Sequence, residues 1–169
     1  ITRASDVSLL RWANAALGAM MSQLRPGDVA GQPLAIELSE TFGIEMLWTD
    51  ANLEAPIPWQ VADDGWSWHL RFDPDAPVPN VEQPAALPAL VTIGRRDGNQ
   101  LLLNLEAIGT LAVDGDDTAP SDFVRSIVAE LAIGDVLSDA FLVASGIDLD
   151  GLDGADRVPV FFGGINVYL

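Results

Sequence analysis

Cysteine and lysine are absent from this sequence of 169 residues, and His69 is its single histidine. Without cysteine the chain forms no disulfide, no zinc–thiolate site and no iron–sulfur cluster, and it has no cysteine nucleophile. One histidine does not build a His-rich metal site, so its partners at any metal would be carboxylates. Functions that depend on thiolate chemistry are therefore excluded.

Basic residues and long apolar runs are also scarce. Eight arginines stand against 25 acidic residues, which gives a formal net charge of −17. Such a surface repels phosphates and anionic lipid, so we predict no direct binding to nucleic acid or to a membrane surface. No run approaches the ~20 apolar residues of a membrane-spanning helix. Because the chain opens at Ile1 rather than Met, we expect a fragment or processed product of a longer protein.

Length and composition favour one domain with a sizeable core. A hydrophobic fraction of 49% over 169 residues is typical of a packed globule. Five of the eleven prolines lie between Asp73 and Pro88, which predicts an extended crossover over 74–88. The single domain 1–169 then has two candidate subdomains, 1–73 and 89–169.

The first part of the chain predicts one helix and three short strands. Apolar residues recur at helical spacing from Asp6 to Leu24, and Arg25-Pro26-Gly27-Asp28 ends the helix. Alternating apolar residues predict strands over Pro33–Ser39, Ile44–Trp48 and Trp66–Phe72, the first two joined in a hairpin. We expect three tryptophans to pack between these strands and the helix: Trp48, Trp66 and Trp68.

The later strands are nearly continuous apolar runs. Ala89–Gly94 and Leu101–Leu105 are predicted to form a hairpin through the Asp97-Gly98 turn. A strand over Thr110–Val113 leads into a helix from Pro120 to about Ile133. Apolar strands separated by a helix predict a βαβ unit in a mixed sheet, so the predicted fold class is α/β. Two further strands are predicted: Phe141–Ser145 and Val158–Phe162.

The unit from Leu111 to Ile133 has the strand–loop–helix frame of a phosphate-binding loop. Aligned from Gly115, however, Pro120 occupies the second glycine position and Ser121 occupies the lysine position. The helix start is instead surrounded by three aspartates: Asp114, Asp116 and Asp117. Negative charge stands where phosphate needs amides and a cation. We therefore predict a degenerate P-loop-like unit without nucleotide or other cofactor.

Two other constellations have the residue types for chemistry. Asp148–Asp153 spaces two aspartates like a calcium loop, but Leu152 holds an acidic position and Pro159 the position of the closing glutamate. His69 has the chemistry of a general base, with Ser67 or an aspartate as partner. A surface histidine on the polar face of its strand is the simpler interpretation. We therefore predict no catalytic and no metal-binding residues.

Aromatic residues are the remaining signal for binding. Five tryptophans are more than a chain of this size needs, and Trp59 lies between prolines and acidic residues. We predict that Trp59 is an exposed anchor at a protein interface. The candidate interaction residues are Trp59, Phe161, Phe162 and Tyr168. The alternative hypothesis is a small hydrolase or carbohydrate-binding domain with a cleft lined by tryptophans and aspartates.

Apolar runs and glycines between Pro88 and Gly151 provide a family signal. The residues that carry it are Pro88–Gly94 (PALVTIG), Gly98–Glu106 (GNQLLLNLE), Gly109, Gly115 and Glu130-Leu131-Ala132. The region resembles the middle domain of large actinobacterial membrane-anchored proteins with LysM and bacterial transcriptional activator modules. The region also resembles a degenerate FtsK-type ATPase core, in which Ser121 stands at the position of the phosphate-binding lysine.

The resemblance implies a regulatory or scaffolding module of a larger, membrane-tethered protein. It brings no catalytic residue to this chain, and it implies a cytoplasmic location with the membrane tether in flanking segments. The predicted function is a non-enzymatic interaction domain that binds a protein partner or associates with itself.

Overall fold

A computed structural model of the chain describes residues 4–73, 75, 85–116 and 118–133. Within these ranges an N-terminal helix and a six-stranded antiparallel sheet form the frame, and two shorter helices follow. This mixture of helices and sheet confirms the predicted α/β class. The strands predicted over Phe141–Ser145 and Val158–Phe162 lie outside the described residues.

The strands on both sides of the proline-rich segment belong to the same sheet. Its order is β3-β4-β2-β1-β6-β5, and each neighbouring pair is antiparallel. The helices are α1 (Ala4–Gln23), α2 (Leu105–Ile108) and α3 (Ala119–Ile133). The strands are β1 (Pro33–Ser39), β2 (Gly43–Trp48), β3 (Gln60–Ala62), β4 (Ser67–Leu70), β5 (Leu90–Arg96) and β6 (Asn99–Asn104).

Helix α1 covers one face of the sheet. Its buried side chains, such as Leu17 and Met20, join one apolar cluster with side chains of β1, β2, β4, β5 and β6. At the centre of this cluster Trp48 and Trp68 meet edge to face, with 4.6 Å between ring centroids. The predicted burial of these two indoles is confirmed.

The predicted burial of Trp66 is wrong, because 52% of this residue is exposed. Trp66 stands just before β4 and immediately after a single 3-10 turn, Asp63–Gly65. Its carbonyl accepts a hydrogen bond from the Trp48 N–H at 3.0 Å, beyond the last pair of the β2–β4 ladder. The residue thus lies at the rim of the sheet, where little of the core reaches it.

The β5–β6 hairpin is confirmed, but the strand predicted over Thr110–Val113 is wrong. Asn104 ends β6 and caps α2, since its Oδ1 accepts a hydrogen bond from the Glu106 N–H at 3.2 Å. Gly109 ends α2, and the following residues run outside the sheet with Leu111 exposed. Every strand pair in the described ranges is antiparallel, so neither a βαβ unit nor a P-loop frame is supported there.

Helix α3 packs along the outer strand β5. Val91 forms a second small apolar cluster with Ile127 and Leu131 of this helix. The Glu130 carboxylate accepts hydrogen bonds from the Thr92 N–H at 2.9 Å and from the Thr92 hydroxyl at 2.7 Å. The backbone N–H of Thr92 on this edge strand is thereby hydrogen-bonded to a side chain. Such a bond is one way to protect an edge from pairing with another chain.

Gly43, the first residue of β2, is expected to tolerate no side chain. It has φ of 101°, and a Cβ there would collide with the backbone of Leu70 and Phe72. The matched control is Gly98 in the β5–β6 turn, which has φ of 88° and no heavy atom near the position of a Cβ.

Gly43→Ala should lower the free energy of unfolding by at least about 3 kcal/mol, because backbone strain and a collision act together. Gly98→Ala should cost about 1 kcal/mol, which is the strain alone. Urea denaturation followed by circular dichroism measures both values. Equal losses in the two variants would show that the close approach of Leu70 to Gly43 is unimportant.

Candidate functional site

The loop before α3 uses its own polar groups. The Gly115 N–H donates to Asp114 Oδ1 at 2.9 Å, and the Ala119 N–H donates to the Asp116 carbonyl at 3.0 Å. A phosphate-binding loop instead directs such amides at the ligand. Over the described ranges, no group of three or more histidine and acidic side chains is arranged to hold a metal ion.

His69 lies on β4, on the face of the sheet opposite Trp68. Its Nε2 is 3.3 Å from Ser67 Oγ and 3.8 Å from Glu45 Oε1. In a Ser–His–acid triad the serine and the acid contact opposite ring nitrogens, whereas here both approach Nε2. Ser67 is also only 2% exposed. These three residues form a polar cluster across β2 and β4, without the relay that would activate the serine.

The same face carries a buried carboxylate that is fully engaged. Glu37 lies opposite Glu45 in the β1–β2 pair. It forms an ion pair with Arg96 and accepts a hydrogen bond from Asn99 Nδ2 at 2.7 Å. A buried charge needs such compensation, so this group stabilises the junction of β1 with the β5–β6 hairpin.

The prediction that Trp59 is an exposed anchor is wrong, because the residue is only 6% exposed and belongs to the main core. The backbone N–H of Trp59 donates to the Pro56 carbonyl at 2.8 Å, and this bond closes a turn just before β3. Trp59 packs in the core at the end of this turn, and Ile57 stands at its tip. The other candidates, Phe161, Phe162 and Tyr168, lie outside the described residues, so their role stays a prediction.

Exposed apolar side chains concentrate around β3 instead. Ile57 is 86% exposed, Leu53 is 75% exposed and Val61 of β3 is 38% exposed. Together with the exposed Trp66 they come from one stretch of chain that includes the outer strand of the sheet. We call this set the loop patch: Leu53, Ile57, Val61 and Trp66.

Backbone pairing places three members of the loop patch near one another. Val61 lies opposite Trp68 in the β3–β4 pair, and Trp66 precedes Trp68 by two residues. Val61 and Trp66 are therefore diagonal neighbours on the same side of the sheet. Leu53 follows Asn52, whose N–H donates to the Gly65 carbonyl at 2.8 Å. This bond places Leu53 beside the start of β4.

Asn52 fixes the loop that carries the patch. Its Oδ1 accepts from the Ala30 N–H at 2.6 Å, and its Nδ2 donates to the carbonyls of Ala30 and Asp50 at 2.9 and 3.0 Å. Its own carbonyl accepts from Trp68 Nε1 at 2.9 Å. A buried side chain with this many partners holds two loops and the core in one arrangement. The loop patch is thus presented on a defined frame.

The surroundings of the loop patch are acidic. Asp50, Glu54 and Asp64 are exposed on the loops that carry it. From Pro26 to Leu70 the sequence contains no arginine or lysine. The patch therefore combines apolar side chains with a negative rim. Sequence analysis missed it because the residues 50–66 show no periodicity that would decide which apolar side chains are buried.

Comparisons of the chain with models of protein families, with curated proteins and with solved structures found no match. The resemblance to the middle domain of actinobacterial membrane-anchored proteins, carried by Pro88–Gly94 and Gly98–Glu106, therefore stays a prediction. In the part of the chain that the structure describes, no helix is long and apolar enough to cross a membrane.

Replacing Asn52 with alanine should release the loop from the core. Asn52→Ala removes three hydrogen bonds and leaves the backbone groups of Ala30 without partners, so we expect a loss of about 2–4 kcal/mol in the free energy of unfolding. Urea denaturation measures this loss. The control is Gln23→Ala, whose exposed side chain donates to the Ala19 carbonyl of its own helix. Its effect should stay within about 0.5 kcal/mol. Similar values for both variants would contradict the role of Asn52.

Proposed function

We propose that this chain is a non-enzymatic protein-interaction domain, a regulatory or scaffolding part of a larger protein, and that the loop patch is its contact surface. The observation that carries the proposal is the concentration of highly exposed apolar side chains around one strand. Contiguous exposed apolar side chains with a polar rim are typical of protein-binding sites. Trp66 supplies an exposed indole, a side chain common among residues that dominate binding energy.

Single exposed apolar residues are ordinary on protein surfaces, so their grouping is what matters. Other exposed apolar side chains in the described ranges, such as Met21 and Leu111, are less than half exposed and lie apart along the chain. Ile57 and Leu53 are both far more exposed, and they belong to one loop that Asn52 holds in place. A surface that is already ordered loses less conformational entropy when it binds.

The alternative of a hydrolase or a carbohydrate-binding domain has less support. The contacts of His69 do not activate Ser67. A cleft lined by tryptophans would need several exposed indoles, whereas four of the five tryptophans are buried and only Trp66 offers an exposed face. The interaction hypothesis uses this one indole together with its aliphatic neighbours.

For the parent protein we propose tethering to a membrane, with this domain in the cytoplasm. The support is the resemblance of the region from Pro88 to Gly151 to the actinobacterial proteins named above. A net charge of −17 would keep the domain itself away from an anionic bilayer. Contact with the partner, rather than with lipid, would then be its task.

Selection of peptides from a displayed random library tests the loop patch directly. Peptides enriched on the unaltered chain should bind the double variant Leu53→Ser/Ile57→Ser at least about tenfold more weakly, because both exposed anchors are lost. The matched control is Met21→Ser/Leu111→Ser, which removes two exposed apolar side chains elsewhere and should leave affinity unchanged. Calorimetry measures the affinities. Enrichment of no peptide, or equal binding by both double variants, would contradict the proposal.

A further inference from the structure

We infer that the loop patch binds a basic, extended peptide segment, which adds as a strand to the outer edge of β3. This inference rests on the function proposed above, because it names the kind of partner that the same surface takes. It combines three observations: a sheet edge that no other described strand covers, apolar side chains beside that edge, and a rim of carboxylates.

The two edges of the sheet differ. At the β5 edge, the Glu130 carboxylate accepts a hydrogen bond from the backbone N–H of Thr92. At the other edge, β3 pairs with β4 on one side only. Among the described residues no hydrogen bond closes the outer side of β3 in the way that Glu130 closes β5. Within the described residues, one edge of the sheet is therefore protected, whereas the outer side of β3 is available for pairing.

Antiparallel alternation shows which backbone groups of β3 point outward. On the neighbouring strand β4, the residue just before the strand, Trp66, accepts a hydrogen bond from the backbone N–H of Trp48 in β2. Every second residue from there, including Trp68, therefore directs its backbone groups toward β2. The backbone groups of Ser67 and His69 then point toward β3. Val61, which lies opposite Trp68, directs its N–H and C=O away from the sheet. These are the groups that an added strand would bind.

Charge decides what kind of segment fits this edge. Exposed carboxylates of Asp50, Glu54 and Asp64 flank the patch, and no arginine or lysine occurs from Pro26 to Leu70. A second copy of the chain would bring the same carboxylates face to face, each copy with a net charge of −17. Like charges at an interface are costly, whereas opposite charges accelerate association and fix register. The chemistry therefore favours a basic partner over self-association.

Side-chain alternation defines the partner further. Successive side chains of an extended peptide point to opposite faces, so every second residue would lie on the side of Val61 and Trp66. Aliphatic side chains suit those positions, and arginine or lysine between them can reach the carboxylates of the rim. Since β3 has only three residues, the paired segment is short, about three to five residues.

Two synthetic peptides test the inference on the intact chain. One alternates arginine and valine over about eight residues, and the other alternates glutamate and valine at the same length. We expect the arginine peptide alone to bind. Its affinity should fall about tenfold between about 50 and 300 mM salt, because screening weakens the attraction to the rim. Equal binding of both peptides, or binding insensitive to salt, would overturn the inference.

The pairing itself is tested at Val61. Val61→Pro removes the outward N–H without breaking the ladder to β4, since proline is tolerated where the N–H of an edge strand faces solvent. This substitution should lower the affinity for the arginine peptide at least tenfold. The matched Val61→Thr, which keeps the N–H, should change that affinity less than about threefold. Unchanged binding by Val61→Pro would refute strand addition.

A second measurement covers the case in which Val61→Pro disturbs the fold. Hydrogen exchange of the Val61 amide in the unaltered chain should slow at least tenfold when the arginine peptide is bound, because the amide becomes a ladder donor. Unchanged exchange at saturation would refute strand addition. Neutralising the rim with Asp50→Asn, Glu54→Gln and Asp64→Asn should remove most of the salt dependence, and retention of that dependence would count against the rim.

The failure of this inference is distinguishable from the failure of the proposed function. If binding of the library peptides requires Leu53 and Ile57 but the peptides are not basic, the loop patch is supported as the contact surface and the basic strand is refuted. If no peptide requires those residues for binding, both the proposed contact surface and the basic strand are refuted. A dimer detected by light scattering and dissolved by Ile57→Ser would identify a second copy as the occupant, which overturns the basic partner.

Discussion

Trp68 joins the hydrophobic core to the loop that carries the loop patch. Its ring is fully buried against Trp48 beneath α1, and its Nε1 donates to the carbonyl of Asn52. The buried indole N–H of Trp68 has its acceptor on Asn52, so the position of Asn52 is tied to the packing of the core. Asn52 in turn fixes the loop through Ala30 and Asp50. The candidate contact surface is thus an extension of core packing.

The sheet separates a helix-covered face from two unlike edges. Burial under α1 satisfies the apolar side of the strands, and α3 occupies the β5 edge through Glu130. The β3 edge keeps exposed apolar side chains, although exposed strand edges are usually blunted. The acidic rim is compatible with this, because charge discourages pairing between identical chains while it attracts a basic segment. Exposure and charge together define the selectivity that we propose for this surface.

Periodicity predicted much of the frame. The alternation in Pro33–Ser39 and Ile44–Trp48, and the Asp97-Gly98 turn, reflect local rules of strand pleat and turn geometry, and the structure confirms them. The strand over Thr110–Val113 failed because an apolar run alone does not show whether the chain stays in the sheet. Asn104 and Gly109 cap the short helix α2, and the chain leaves the sheet after it.

Composition and local periodicity were sufficient to predict the helix-and-strand class, the acidic charge and the absence of thiolate chemistry. The exposure of the individual tryptophans, in contrast, depends on how the chain folds in three dimensions. The local sequence predicts that Trp59, which follows two prolines, is an exposed anchor, yet it packs in the core. Trp66 is predicted to be buried, yet it lies at the rim. Burial at such positions depends on contacts between residues far apart in the chain, and in an aperiodic loop no local pattern records those contacts.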